Sequence, residues 1–377
     1  MSQTKVEAPF VENNAHFKNL FINGDMQIAQ RGTSFSLTNG NSKFPVDRFK
    51  VFTEGSFAYT VSQSTDVPTG EGFTTSLKVD VTTAAGSPSA GDQTELQTNL
   101  EGQMLQHLKK GTSNAEKVTV SFYVKCTATG NLQLNLRDLD NARMIGSTFT
   151  INSSDTWEKK EIVFAGDTSG AFDNDNAGSL RVSIMLGSGS TYTSGAVPTA
   201  WEAYSNGDKN AGDTLNFSNS TSNDFLITGF QLEVGDTATD FEHLPHDVQL
   251  DRCMRYAYVH NNNADSFQQL LFLGATRGGT NKSFYIQHPR PMRDTPSITL
   301  SGEIRMINIG QAENVDADDT LTVGGVTPSI VGQNADEKGC NIFFNGSISG
   351  MTDTGNTGYI LMFQKETDNK LTFDAEL

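Results

Sequence analysis

At 377 residues the chain is long enough for two domains with real cores. Its net charge of −17 argues against nucleic acid, which needs a cationic footprint, and against anionic membrane surfaces. Abundant Gly, Ser, Thr, Asn and Asp, little Lys, and 24 Phe against 2 Trp describe an all-β chain with many turns.

Cys126, Cys253 and Cys340 are far apart and form neither a disulfide framework nor a CxxC metal motif. No apolar run approaches the roughly 20 residues of a membrane helix. The first residues, MSQTKVEAPFVENN, carry no apolar signal core. The expectation is a protein that leaves the cell inside a larger particle.

Residues 1–18 are polar and read as an extended arm, either frayed or docked on a partner. Residues 19–33 begin with an apolar strand and a turn at Asn23-Gly24, and FPVDRFKVF (44–52) is another strand. Short strands follow at 57–64, 74–83, 118–127, 131–139, 160–166 and 179–187. The 118–127 strand is nearly continuous and apolar on one face, so a central place is expected for it. Spacing and turn chemistry together give a β-sandwich. In 95–111, Leu100, Met104, Leu105 and Leu108 fit one face of a short helix or helical turn closed by Gly111. The polar segment 192–223 is too long for an ordinary connection and should be a packed or functional loop.

Between Asp224 and Tyr258 the period changes. Phe225, Ile227, Phe230, Leu232 and Val234 alternate with a slip at Gly229, a strand with a bulge. Pro245 and Asp247, in N-cap position, then open a short helix. Residues 261–377 form a second all-β region. There 267–279 and 281–289 pair as a hairpin, further strands lie at 297–310, 320–326, 340–350 and 358–366, and TFDAEL closes the chain. The expected organisation is an arm (1–18), a jelly-roll sandwich (19–245), a helical neck (246–260) and a C-terminal β-domain (261–377) that forms the tip.

Seven segments carry a resemblance: NLFINGDMQIAQRGTSF (19–35), PVDRFKV (45–51), LEGQ (100–103), VTVSFYVKC (118–126), DTWEKKEIVF (155–164), ITGFQLEVGDTATDFEHLP (227–245) and QLDRCMRYAY (249–258). In this order they resemble the jelly-roll module of bacteriophage tail-fibre and other virion proteins, which is similar in fold to carbohydrate-binding modules. HPRPMRDTPSITLSG (288–302) and the final DAEL resemble segments of such proteins too. The resemblance implies a non-enzymatic virion component, often trimeric, that attaches to host surface polysaccharide. An adaptor or head decoration protein that binds only other virion proteins is the alternative. The chain lacks a fibrous shaft, which favours a short appendage. The arm is the expected contact with other tail or head proteins.

Sugar binding uses aromatic platforms with hydrogen-bonding neighbours, because a pyranose face is apolar and its rim polar. The candidates are Trp201, Tyr204 and Tyr192 with Asn206, Asp208 and Asn210. The alternative for Trp201 is that it pins the long loop to the sandwich. The resemblance also implies a structural Ca²⁺ where first and last strands meet, with Asp25 and Asp224 as oxygen donors; no cofactor is required. No GxSxG, HExxH or P-loop is present, and no carboxylate pair is marked by its context, so no enzyme is read. Leu250, Cys253, Met254 and Tyr256 on the helix either plug the base of the sandwich or pack around a threefold axis as the neck of a homotrimer; the second is the expectation.

Overall fold

The computed structural model describes residues 17–261, 270–276, 282–301, 304–308, 338–344, 358–363 and 370–377. The chain opens with β1 (Ser34–Leu37), β2 (Asn41–Val46), β3 (Phe49–Glu54), β4 (Ala58–Ser64) and β5 (Ser76–Thr83). There follow β6 (Gln93–Glu101), β7 (Val118–Cys126), β8 (Gly130–Asp138), β9 (Arg143–Ile151), β10 (Glu158–Phe164) and β11 (Gly178–Ser188). After β12 (Glu202–Ala203) and β13 (Asp224–Val234) comes the helix α1 (His246–Met254). The C-terminal region adds β14 (Ala257–Asn261), β15 (Leu270–Thr276), β16 (Lys282–Gln287) and β17 (Ser297–Ser301). It ends with β18 (Ile304–Asn308), β19 (Gly339–Phe344), β20 (Gly358–Phe363) and β21 (Lys370–Asp374).

The fold is all-β. Two antiparallel sheets face each other as a jelly-roll sandwich: β1-β4-β5-β13-β7-β10 and β12-β9-β8-β11-β6-β3-β2. Alternation explains the layers. Along β7, Val118, Val120, Phe122, Val124 and Cys126 are buried in the core, while Tyr123 and Lys125 point out. The centre of the core is aromatic, with Phe21 stacked on Phe230 at 4.7 Å and Phe122 and Phe49 around it. The C-terminal region forms a three-stranded sheet, β14-β21-β17, and a five-stranded one, β18-β20-β15-β16-β19.

The bulge expected at Gly229 is present. The pairing of β13 with β7 slips between Thr228 and Gln231, and Gly229 has φ +63°. The predicted 267–279/281–289 hairpin is the β15–β16 pair. The segment 320–326 lies outside the described residues.

Several expectations are corrected. The 118–127 strand, β7, is second from the edge of its sheet, and β5 and β13 take the centre. Residues 44–52 are parts of two strands, β2 and β3, that pair with each other. Residues 19–22 are buried but form no strand. Of the short helix or helical turn expected in 95–111, the turn is what forms, as two single 3-10 turns, Gly102–Met104 and Gln106–Leu108, and the part before it is the end of β6. The leucines of 95–111 serve two different elements, so their helical spacing is coincidental. Pro245, not Asp247, is the N-cap of α1, and the helix stops at Met254 because 257–261 pairs with β21.

The neck expectation is also corrected. Cys253 and Tyr256 are fully buried within the chain, packed with Ile22 and Ile28 and against Met104 and Leu250. Met254 and Leu250 are half-buried. The helix covers the base of the sandwich, where Ile22 and Ile28 would otherwise meet water, so Cys253 and Tyr256 have no surface left for a second protomer.

Gly229 offers a direct test. A Cβ there would lie 2.6 Å from Phe73 Cζ, on a backbone that side chains rarely adopt. Gly229→Ala should lower unfolding free energy by roughly 1–3 kcal/mol, read as a shifted urea midpoint at unchanged m-value.

Candidate functional site

Four of the seven segments that carry the resemblance, and the final DAEL, meet at one place. Arg31 reaches Asp47, Asp374 and Glu376, each at 3.2 Å, and Arg48 pairs with the same Glu376. Arg48 lies 3.4 Å over the Tyr256 ring. Arg255 grips Glu101 with two hydrogen bonds, at 2.8 and 2.7 Å, and the Tyr256 hydroxyl donates to the same carboxylate. Burial works to raise the Glu376 carboxyl, but Arg48 and Arg31 outweigh it and hold it below the ordinary range. Asp47 goes the other way, to about 6, because burial outweighs Arg31. This cluster is filled by its own partners, and it joins the sandwich, the helix and the chain's end.

Because the folded-state pKa of Glu376 is depressed, its stabilisation is present above the ordinary value of 4.5 and lost as pH falls through the folded value. Glu376→Gln should therefore cost about 3 kcal/mol at pH 7. That deficit should shrink below pH 4.5 as the native carboxyl protonates, measured by urea unfolding at both pH values.

The surface with unused chemistry is the outer face of the seven-stranded sheet. On β6, Thr94, Leu96, Thr98 and Leu100 face the core, and Glu95, Gln97, Asn99 and Glu101 face away from it. These outward residues are nonetheless buried, each 6% exposed or less. Register aligns Gln97 with Lys50 on β3 and Ser183 on β11, Glu95 with Phe52, and Asn99 with Arg181. Arg181 in turn sits opposite Arg137 on β8.

The long loop walls one side of this face. Gln133 donates to the Asp208 carbonyl and Asn135 to the Lys209 carbonyl, both at 2.7 Å. Lys209 reaches back to Glu95 at 3.1 Å and lies over the Tyr192 ring. Tyr204 stacks on Arg137, with the guanidinium 3.6 Å from the ring centre. Leu377 lies near Asn99 at the opposite end, across Gly178. The strip between these walls, called the trough below, carries the half-buried Lys50, Phe52, Arg181 and Arg137 and the buried Gln97 and Asn99.

Its polar atoms are incompletely used. Gln97 Oε1 and Arg137 Nε are buried without a hydrogen-bond partner. Arg181 donates to Asn99 Oδ1 at 3.0 Å. Among the described residues, Lys50, Arg137 and Arg181 form no ion pair. Burial lowers the Arg181 pKa, with the Glu95 charge opposing it and the Arg137 charge adding to it; burial and Arg181 lower that of Lys50 against the charges of Glu376, Glu95 and Asp374.

The expected sugar residues divide. Tyr204 and Tyr192 belong to the trough wall, Tyr204 half-buried and Tyr192 buried. Asn206 accepts the Tyr204 hydroxyl at 2.5 Å, and Asp208 accepts the Ala196 amide, so both hold the loop. Asn210 Nδ2 donates to Ser188 and Asp213, and its Oδ1 is buried without a partner. Trp201 is not in the trough. It packs against the core, donates to the Ala165 carbonyl at 2.7 Å and lies 5.6 Å from Lys110 Nζ. The pinning reading is the one its contacts match.

The metal expectation fails as a pair. Asp25 is buried with both carboxylate oxygens unpartnered, and burial raises its pKa. Asp224 is bonded to Lys78 at 2.9 Å. The Asp25 carbonyl meets Thr228, four residues from Asp224 along β13, or about 13 Å. Two carboxylates so far apart cannot share a cation that needs six to eight oxygens at contact distance. Among the described residues no cluster of three or more His, Cys, Asp or Glu is present.

A second concavity, about 260 Å³, lies on the other sheet between Phe73, Tyr123, Phe241 and His243. Two of its polar groups are engaged: Tyr123 donates to Glu71 at 2.6 Å, and Lys159 pairs with Glu161 outside the lining.

No family model matches the chain, and no curated protein matches its sequence. Among solved structures, the enzymatically active domain of bacteriophage CBA120 tailspike protein 4 is similar over 58% of this chain and 22% of its own, at 14% identity and TM-score 0.31. TmCBM61, in complex with beta-1,4-galactotriose, matches 58% of this chain and 99% of its own at 10% identity and TM-score 0.27. A family 11 carbohydrate-binding module from Clostridium thermocellum, in complex with a mixed-linked tetrasaccharide, matches 56% and 99% at 10% identity and TM-score 0.27. What this chain binds is decided by its own side chains.

Trp201→Ala should cost roughly 2–4 kcal/mol of stability in thermal or urea unfolding.

Proposed function

We propose that this protein is a non-enzymatic virion component, a tail fibre or short appendage, whose trough holds a host surface glycan. The observation that carries the glycan reading is the buried amide Gln97, whose Oε1 has no partner on a floor flanked by aromatic rings. A sugar supplies what that floor lacks. Its hydroxyls donate to Gln97 Oε1 and exchange bonds with Asn99 and Ser183, and its apolar face lies on Tyr204 or Phe52.

Catalysis has no support in the trough. Glycoside cleavage uses two carboxylates about the scissile bond, and Glu95, the carboxylate on this floor, is tied to Lys209. The virion assignment rests on the ordered segments of the sequence resemblance. In this reading the arm contacts other tail or head proteins, and a homotrimer sums three weak sites into avid attachment. A trimer contact would use surfaces other than the buried face of α1.

Tyr204→Ala should weaken glycan binding about tenfold, roughly 1.4 kcal/mol, on a bacterial glycan array followed by calorimetry. A chain that captures no saccharide but retains virion-protein contacts would instead be an adaptor.

A further inference from the structure

We propose that the trough selects acidic saccharides, through a carboxylate or phosphate seated between Arg181, Arg137 and Lys50. This rests on the glycan reading and names the class of sugar.

The first observation is a like-charge pair. Arg181 and Arg137 stand directly opposite each other on neighbouring strands, a placement that costs stability unless something offsets it. Lys50 adds a third cation from β3, two strands from Arg181 and one residue row along.

The second observation is that cations outnumber acids on this face. Glu95 is bonded to Lys209, and its charge also acts on Arg181 and Lys50. Asp374 and Glu376, on the tail beside the trough, are bonded to Arg31 and Arg48. Tyr204 offers Arg137 its ring, which orients the guanidinium without neutralising it. Three half-buried cations thus share a floor in a chain whose net charge is −17.

The third observation gives the anion a sugar to ride on. The buried Oε1 of Gln97, next to Lys50 in register, has no donor and requires a hydroxyl or amide hydrogen. A bare anion cannot supply it, and a neutral sugar leaves the arginines unpaired. A saccharide with an acidic substituent satisfies both. Carboxylate and phosphate each match a guanidinium fork.

The test is calorimetric titration of the full chain with three polymers: a polyuronate, its carboxyl-reduced neutral counterpart, and a glycerol-phosphate teichoic acid. We expect one acidic polymer to bind at least tenfold more tightly than the neutral one, with affinity falling as NaCl rises. The polymer preferred identifies the anion as carboxylate or phosphate. Arg181→Gln should reduce that affinity at least tenfold, while Lys117→Gln, a cation exposed on the opposite sheet, should leave it unchanged.

Arg181→Gln should also keep or raise the melting temperature, since it removes one member of the like-charge pair. A fall in melting temperature that accounts for the lost affinity would make Arg181 structural and overturn the proposal. Equal affinity for the polyuronate and its reduced counterpart overturns the acidic class and leaves the glycan reading standing. Binding to none of the three, and to no saccharide on an array of neutral and acidic glycans, overturns both.

Discussion

The structure depends on the buried ion cluster at the base of the sandwich. Arg31 and Arg48 are the cations around which Asp47, Asp374 and Glu376 gather, and Tyr256 and Glu101 extend the network to Arg255. Charges this deep are tolerable only when each has a partner, because an unpaired one costs several kcal/mol. The partners come from the first loop, β6, the segment after α1 and the last residues of the chain. Closing the cluster therefore requires all of them to be in place, and the C-terminal tail reaches the sandwich surface as a result.

The same requirement shapes the trough. A sheet whose outer face is both polar and buried must be covered, and two covers are supplied: the 189–213 loop, anchored by Gln133, Asn135 and Glu95, and the tail ending at Leu377. Neither reaches the middle. Between them runs a short strip where the half-buried cations of β3, β8 and β11 flank the buried amides of β6. Scaffold and site are thus separate chemically: ion pairs are closed at the base and left open on the floor.

Much of the architecture was legible because alternation is a strong signal. The core faces of β7, β11 and β13, the bulge at Gly229 and the helix after Pro245 all follow from period and punctuation. The 95–111 stretch misled only in its first part, because leucines at the end of a strand and in two tight turns mimic a helical stripe. The site was harder to read. Trp201 drew attention as one of two tryptophans, yet its indole is used for packing and a loop hydrogen bond. The floor residues hid among ordinary outward positions. A signal was available: LQTNLEG and LQLNLRD place an amide at successive outward positions, where exposed strands more often carry Lys, Glu or Thr. Amides there indicate a face withdrawn from water. The pairing of Arg181 with Arg137 depends on register between strands distant in sequence, and no local pattern reports that.

The segments that carry the family likeness are concentrated in the scaffold. Arg31, Asp47, Arg48, Glu101, Arg255 and Glu376 make the base cluster, whereas Gln97, Arg137 and Arg181 of the trough lie outside those segments and Lys50 lies within 45–51. Proteins sharing the segments could differ freely at Gln97, Arg137 and Arg181, since changing these breaks no ion pair of the base.

One further consequence concerns mechanics. The chain leaves the sandwich through α1 and comes back through Ala375, whose amide is bonded to the Tyr256 carbonyl, with Glu376 locked between two arginines. β14 and β21 run side by side between these two attachments. Tension applied to the three-stranded sheet is thus shared by the covalent link through α1, the ionic one through Glu376 and the hydrogen bonds between Arg293, just before β17, and Asn176. Twisting or peeling that sheet from the sandwich must rupture a buried salt bridge rather than swing on a single-chain hinge.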